Sequence, residues 1–169
     1  MNTAPRELRS PKRTVRTPHI DVRMGVKSDA PAVIALLQQF FSMSPWNRHM
    51  SFKPERALPY VEHAIASGYE PHVLAFDGEE LVGMCSYHLY SQYTDPIACM
   101  DECFVLPRLR FTDLGRRVVG LAIDIAKADG AVVMHFPIAS QMKAQNSLMN
   151  MVGRHFGAEP IGMLFRKVL

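Results

Sequence analysis

The stretch that most constrains this fold runs from Met100 to Gly130, where the residue pattern predicts a buried strand, a short turn with arginines and a long helix. Residues 97–106 are apolar apart from Asp101 and Glu102. The strand stops at Pro107, because proline cannot donate a hydrogen bond to a central ladder. A strand followed at once by a helix indicates an α/β arrangement in which the helix packs back on a sheet.

The helix of this stretch carries one apolar stripe that must face the sheet. Its members recur at helical spacing: Leu114, Val118, Leu121, Ala122 and Ile125. Thr112 or Asp113 is predicted to cap the start of the helix with a side-chain oxygen. The pair Asp129-Gly130 is predicted to end it.

Length and cysteine usage bound the class of protein. With 169 residues, 48% of them hydrophobic, the chain predicts one folded domain over residues 20–169. The cysteines at 85, 99 and 103 are odd in number and lie in apolar strand-like sequence, so we expect reduced core residues in a cytoplasmic protein. Cys99 and Cys103 lack further ligands at zinc-like spacing, so no metal site is predicted. No segment approaches the roughly 18 apolar residues of a membrane span.

The positive charge is concentrated in residues 1–19, which are predicted to form a flexible basic arm. Five basic residues, Arg6, Arg9, Lys12, Arg13 and Arg16, face the single acid Glu7. Three prolines and few apolar residues leave the arm unable to bury a core of its own. Two interpretations stay open: a solvated tail, or a segment that binds an acidic partner, either nucleic acid or protein.

The remaining elements are predicted from hydrophobic period, turn residues and helix boundaries. Residues 19–26 form a first strand with Ile20, Val22, Met24 and Val26 inward, and Ser28-Asp29-Ala30-Pro31 starts a helix with a capping side chain. Residues 42–51 form an irregular loop. A second helix spans residues 54–66, with Pro59 marking a kink or a later start. Further strands are expected at 72–76, 81–90, 131–138 and 161–168, with a last helix at 140–152. The order β-α-α-β-β-β-α-β-α-β predicts an α/β (α+β) fold with a mixed, mostly antiparallel twisted sheet flanked by helices.

Over residues 20–169 this order resembles the GCN5-related N-acetyltransferases (GNAT), as does the pattern Val105-x-Pro107-x-x-Arg110-x-x-x-x-Gly115. In that family a strand, an Arg/Gln-x-x-Gly-x-Gly/Ala turn and a helix bind the pyrophosphate of acetyl-CoA. Backbone N–H groups and the positive end of the helix dipole suit an anion there. The resemblance implies that acetyl-CoA is the cofactor. It would be bound by Phe104, Val105, Arg110, Thr112, Asp113, Leu114, Gly115 and Arg116, with Asn146 near the pantetheine arm.

Two positions depart from the family pattern. The middle glycine of the turn is Asp113, whose carboxylate would repel phosphates and could accept the same N–H groups that the cofactor needs. Nearby arginines could offset this charge, or they could form an exposed helix start paired with Asp113 and other acids. The tyrosine that serves many members as general acid is replaced by Gly153, and no tyrosine follows Tyr93. Ser140 or a water could substitute.

By resemblance Glu102 is the candidate general base, although a structural acid in the sheet is an equal interpretation. Asp101 and Glu102 are neighbours in a strand, so we expect them on opposite faces. His88 and His135 are interpreted as hydrogen-bonded core or surface histidines. The loop with Trp46, Arg48 and His49 would border the acceptor side.

Two hypotheses about function follow. In the first, the chain is an acetyl-CoA-dependent N-acetyltransferase that acts by direct attack of a primary amine on the thioester, the acceptor being a small molecule or a protein. In the second, it is a catalytically degenerate GNAT-fold protein that binds or assembles through its surface and its basic arm. The fold by itself does not distinguish them.

Overall fold

A five-stranded sheet in the order β1-β2-β3-β4-β5 lies at the centre of the described protein. The computed structural model describes residues 19–91, 94–137 and 144–160, without the side chains of residues 45–46 and 144–147. The strands are β1 (Ile20–Met24), β2 (His72–Asp77), β3 (Glu80–Tyr90), β4 (Ile97–Val105) and β5 (Val133–His135). The first four pair antiparallel in sequence, and β5 pairs parallel with β4. The predicted mixed, mostly antiparallel sheet is confirmed.

Four helices flank this sheet: α1 (Ala30–Met43), α2 (Pro54–Ser67), α3 (Leu114–Ala128) and α4 (Ala144–Phe156). The Tyr87 hydroxyl donates to Asp129, just past the end of α3. The neighbouring Ser86 instead lies beside Glu102, on the side where α1 and α2 pack. Since neighbours in a strand point to opposite faces, α3 covers one face of the sheet and the α1–α2 pair covers the other.

The helix boundaries follow local chemistry. Gly68 ends α2 with a left-handed φ of 69°, as glycine permits at low cost. Pro59 lies inside α2, which still begins at Pro54, so the interpretation of a later start is wrong. The carboxylate of Asp29 does not cap α1; it accepts instead from Arg23 at 2.7 Å and from the Val26 N–H at 2.8 Å.

The buried stripe of α3 confirms the predicted amphipathic helix. Leu114, Val118 and Ala122 are buried, while Leu121 and Ile125 are half-buried. Val119 and Ala126, which the predicted stripe omitted, are buried as well. All three cysteines are free thiols; Cys85 is buried, and Cys99 and Cys103 are partly so.

Several predicted elements are placed differently. Met24 and Val26, expected inward, are 39% and 53% exposed: Met24 is the last residue of β1, which pairs with β2 alone, and Val26 lies beyond the strand. The predicted buried strand at 131–138 is the short β5, and its Val133 is 47% exposed. The supposed irregular loop contains the end of α1 and a 3₁₀ turn, Pro45–Arg48. The predicted arm, apart from His19, and the last strand at 161–168 lie outside the described residues.

Candidate active site

The turn before α3 leaves backbone N–H groups open at the helix start. Thr112 Oγ1 accepts from the Leu114 N–H at 3.3 Å, so Thr112 is the capping side chain. Asp113 has helical angles (φ −77°, ψ −1°) instead of the extended ones of a typical N-cap, and its carboxylate makes no capping hydrogen bond. Within the described residues no acceptor pairs with the N–H groups of Gly115 and Arg116. The expectation that Asp113 occupies these donors is wrong, and such unpaired N–H groups at a helix start suit an anion.

Two arginines of this turn differ in their partners. The Arg110 Nε donates to the Val105 carbonyl at 3.1 Å, and its guanidinium lies 5.4 Å from the centre of the Phe104 ring. No acidic partner of Arg110 is found in the described part of the chain. Arg116 lies 3.8 Å from Asp113, with both side chains more than half exposed. The interpretation of paired surface arginines therefore fits Arg116 but not Arg110.

The other two arginines of the region are engaged in contacts of the fold. Arg108 pairs with Glu80 at 2.6 Å, and both side chains are about half exposed. Arg117 donates to the Ile20 carbonyl at 2.8 Å and so ties α3 to β1. Neither guanidinium is left wholly available for a ligand.

One edge of β4 is open beside this turn. β4 pairs with β3 as far as Val105, but with β5 only through the three residues Ile97, Ala98 and Cys99. From Met100 onward no strand among the described residues pairs with that edge. Phe104 and Val105, both predicted to contact a cofactor, lie in this open part and are buried. Among the described residues this edge therefore lacks a strand partner next to the start of α3, and of its carbonyls that of Val105 accepts from Arg110.

A bulge changes the predicted orientation of the two acids of β4. The register passes from Ser86 opposite Glu102 to Tyr87 opposite Met100, so Asp101 is the extra residue. Glu102 bonds to Ser86, and Asp101 contacts His88, two residues further along the same face of β3. The expectation of opposite faces is wrong, because a bulge adds one residue and resets the alternation.

Glu102 combines burial with one strong hydrogen bond. The Ser86 hydroxyl donates to its Oε2 at 2.6 Å. Burial raises the pKa of Glu102 to about 7, with the carboxylates of Glu70 and Asp101 adding to the rise and the Ser86 hydrogen bond opposing it. A carboxyl group with a pKa in this range exists in both protonation states near neutral pH, as a general base requires.

Three residues that the sequence did not single out stand beside Glu102. The Tyr60 hydroxyl donates to Glu70 Oε2 at 2.8 Å, and this bond raises the pKa of Tyr60. His72 Nδ1 donates to the Glu70 carbonyl at 2.6 Å, while its Nε2 lies 3.7 Å from Glu70 Oε1. Both Glu70 and His72 are buried. The sequence offered one clue, and only for His72: the hairpin turn at Asp77-Gly78 fixes the pairing of β2 with β3, which brings His72 opposite Ser86.

A cavity of about 210 Å³ opens onto this group between the sheet and the α1–α2 pair. Its polar lining comes from Tyr60, Glu70, His72 and Glu102. The rest of the lining is apolar: Leu37, Phe40, Phe41, Phe52, Ala57 and Val61. A concave, mostly apolar site with a few convergent polar groups is typical of a small-molecule pocket.

The remaining candidates contribute less. His88 contacts Asp101 at 2.8 Å and His135 contacts the Tyr90 hydroxyl at 3.0 Å, which confirms them as hydrogen-bonded histidines. Asn146 and Gly153 lie in α4, and the side chain of Asn146 is outside the description. The side chain of Trp46 is outside it as well, so the bordering role of its loop stays a prediction.

A wider groove of about 510 Å³ lies on the other face, between α3 and α4. It is lined by Arg116, Arg117 and His155 but by neither Glu102 nor the open edge of β4, so it is a separate feature. No group of three or more metal-binding side chains occurs within residues 19–91, 94–137 and 144–160. None of the described helices is both long and apolar enough to cross a membrane.

A model of the acetyltransferase (GNAT) family matches residues 31–148. No curated protein matches the chain. Similar solved structures have low sequence identity, so their likeness shows the fold.

Three of these structures illustrate the likeness. The aminoglycoside acetyltransferase meta-AAC0020, from an uncultured soil metagenomic sample and in complex with sisomicin, has a TM-score of 0.69 and 14% identity, covering 89% of this chain and 96% of its own. The aminoglycoside N-acetyltransferase AAC(6')-Iy in complex with CoA has a TM-score of 0.66 and 18% identity, with coverage of 90% and 97%. The ribosomal-protein-alanine N-acetyltransferase from Brucella melitensis biovar Abortus has a TM-score of 0.65 and 12% identity, with coverage of 89% and 99%.

Proposed function

The chain belongs to the GNAT acetyltransferase family, and we propose that it transfers the acetyl group of acetyl-CoA to a primary amine, with Glu102 as the general base. The observation that carries the proposal is Glu102 itself. It is a partly buried carboxyl group with a pKa of about 7 that lines a cavity, and it lies on β4 itself, in the part that has no β5 partner. A structural acid of the sheet would not need access to a cavity.

The cofactor side is supported by the donors at the start of α3. The N–H groups of Gly115 and Arg116, together with the Arg110 guanidinium, suit a diphosphate. The open edge of β4 near Phe104 and Val105 would hold the pantetheine chain through backbone hydrogen bonds, and Thr112, Asp113 and Leu114 would border the phosphates. A relative of the same fold is solved with CoA, and also with a bisubstrate analog of CoA and acetylneamine. Bound acetyl-CoA would supply an activated thioester.

The chemistry of the acceptor side follows from Glu102. An amine enters the cavity in its ammonium form, and a carboxylate nearby favours that cation. Glu102 takes one proton, directly or through a water, which frees the nitrogen lone pair for attack on the acyl carbon. Backbone N–H groups along the open edge of β4 polarise the acyl oxygen.

Residues 19–91, 94–137 and 144–160 offer no assigned side-chain donor for the proton of the leaving sulfur. The position at which many family members carry tyrosine is Gly153, which has no proton to give. Ser140, the other predicted substitute, lies outside the described residues. We therefore assign this step to water, at a rate penalty that a positioned acid would avoid.

Three features favoured the alternative of a degenerate binding protein: Asp113 at the start of α3, Gly153 in place of the tyrosine, and the basic arm. The carboxylate of Asp113 is 60% exposed and makes no capping bond, so the first of these three features no longer favours it. An acidic partner for residues 1–19 stays a prediction.

Calorimetric titration of acetyl-CoA into the full chain, followed by mass spectrometry of an amine panel, tests the proposal. We expect binding by the native protein and acetyl transfer that Glu102→Gln reduces by about 10²-fold or more, with binding of acetyl-CoA preserved. Glu79→Gln, at an exposed position outside the site, is the matched control. Absence of acetyl-CoA binding at millimolar concentration would overturn the assignment, particularly if Asp113→Gly restored it.

A further inference from the structure

One end of the Glu102 cavity is hydrocarbon. The rings of Phe41 and Phe52 lie 5.9 Å apart between centroids, and Phe40 packs against Phe104 at 5.4 Å. Phe40, Phe41 and Phe52 all line the cavity. These tilted pairs hold the aromatic wall in a defined arrangement. A ligand at this end gains by burying apolar surface and by ring contacts.

The polar part of the lining carries two carboxyl groups. They belong to Glu70 and Glu102, and no lysine or arginine lines the cavity among the described residues. Ser86 occupies Oε2 of Glu102, while no hydrogen bond reaches Oε1 within the described chain. His72 donates its Nδ1–H to the Glu70 carbonyl, so this donor is already engaged. An ammonium group can donate to the remaining oxygen of Glu102 and pair with the carboxylate charge, whereas a neutral hydrocarbon can do neither.

The size of the cavity limits what can enter. Its volume is about 210 Å³. An apolar cavity of about 150 Å³ accommodates a benzene molecule. The space is therefore enough for one ring and a short alkyl stem, and too small for a chain of several rings.

We propose that the acceptor is a small primary amine on a single aromatic or similarly sized hydrocarbon body, with the ring against the Phe41–Phe52 pair and the ammonium at Glu102. This assignment of a substrate class rests on the proposed function. It differs from the ligands of the aminoglycoside acetyltransferases that share the fold. Aminoglycosides carry many hydroxyl and ammonium groups over several rings, and three phenylalanines would leave those groups without hydrogen bonds.

The test measures amine binding to the full chain by calorimetry in the absence of acetyl-CoA. The probes are 2-phenylethylamine, 2-phenylethanol without the charge, ethylamine without the ring, kanamycin, and a tetrapeptide with a free N-terminal alanine. We expect 2-phenylethylamine to bind at least about tenfold more tightly than each of the others, because one missing group in a fitted pocket costs that much or more. Tighter binding of kanamycin or of the peptide, or equal binding of ethylamine, would overturn the substrate class.

A pair of variants on α2 locates the binding. Ala57 lines the cavity, whereas Ala66 is exposed on the same helix. Ala57→Leu places three extra carbon atoms in the cavity and should weaken 2-phenylethylamine at least about tenfold while leaving ethylamine unchanged. Ala66→Leu should leave both unchanged, and thermal melting identifies any variant that fails to fold. Equal effects of the two substitutions would show that the ring binds elsewhere.

Release of free thiol from acetyl-CoA separates this inference from the proposed function. If kanamycin is acetylated while 2-phenylethylamine neither binds nor reacts, the transferase assignment is supported and the proposed substrate class is wrong. If 2-phenylethylamine binds to the native protein, binds more weakly to Ala57→Leu and is not acetylated, the pocket assignment is supported and the transferase assignment is wrong.

Discussion

The Ser86 hydroxyl donates a 2.6 Å hydrogen bond to the Glu102 carboxylate across the β3–β4 pair. Two effects oppose each other at this carboxyl group. Burial disfavours the charge, and the hydrogen bond from Ser86 favours it. Burial prevails, and the pKa stands at about 7 in place of the ordinary 4.5. The protein therefore holds a partly charged group in a buried site, which costs stability and supplies a base.

Glu102→Gln should remove that cost. Between pH 4.5 and about 7 the folded chain binds more protons at Glu102 than the unfolded chain, so native stability falls as pH rises. The difference between a pKa of 4.5 and one of about 7 corresponds to about 3 kcal/mol in the free energy of unfolding. Chemical denaturation at pH 4.5 and pH 8 measures the free energy of unfolding of both proteins. Relative to the native protein, Glu102→Gln should be more stable at pH 8 than at pH 4.5, by up to that amount. The same difference at both pH values would contradict the raised pKa, and Glu79→Gln should show no such trend.

Ser86→Ala should move the pH profile of acetyl transfer. Without the hydroxyl donor the pKa of Glu102 rises further, so the ascending limb of kcat/KM, which reports the deprotonated base, shifts to higher pH. Activity at pH 7 falls, and most of it returns above pH 9. Ser91→Ala, at an exposed position, provides the comparison. A uniform loss at every pH would instead mean that Ser86 only supports the packing.

The parts of the fold that could be predicted are those with local chemical signals. Gly68 and Gly130 mark helix ends because both adopt positive φ, and Asp77-Gly78 marks the hairpin for the same reason. The extent of burial was less predictable at Met24 and Val133, because apolar sequence does not reveal whether a helix covers the strand.

The candidate site was only partly predictable. Glu102 came from resemblance, but Tyr60, Glu70 and His72 were missed, since they meet it only through sheet register and helix packing. The bulge at Asp101 has no signature in the residue pattern, and it reversed the predicted face of one acid. A shift of one residue suffices for that, because side chains alternate with a period of two.

Asp113→Asn should raise the affinity for acetyl-CoA only modestly. The carboxylate is 60% exposed and lies 3.8 Å from Arg116, so solvent and the arginine already weaken its field. We expect about a two- to fivefold gain at low salt that shrinks at higher salt. Titration at two ionic strengths measures it, with Asp95→Asn as the comparison at another exposed aspartate. A gain of several orders of magnitude would mean that Asp113 obstructs the helix start after all.

Arg110→Ala and Arg108→Ala should separate a cofactor contact from a surface ion pair. Arg110 is held by the Val105 carbonyl and by the Phe104 ring, with no acid among the described residues to neutralise it. Its removal should lower acetyl-CoA affinity about tenfold or more and stability by about 1 kcal/mol, because a charge-assisted phosphate contact and a backbone hydrogen bond are both lost. Arg108 pairs with Glu80 in solvent, so its removal should change stability by less than about 1 kcal/mol and affinity little. Calorimetry and thermal melting of both variants distinguish the two roles. A larger loss of acetyl-CoA affinity in Arg108→Ala than in Arg110→Ala would contradict this prediction. It would place the phosphates on the Arg108 side of the turn, away from the open edge of β4.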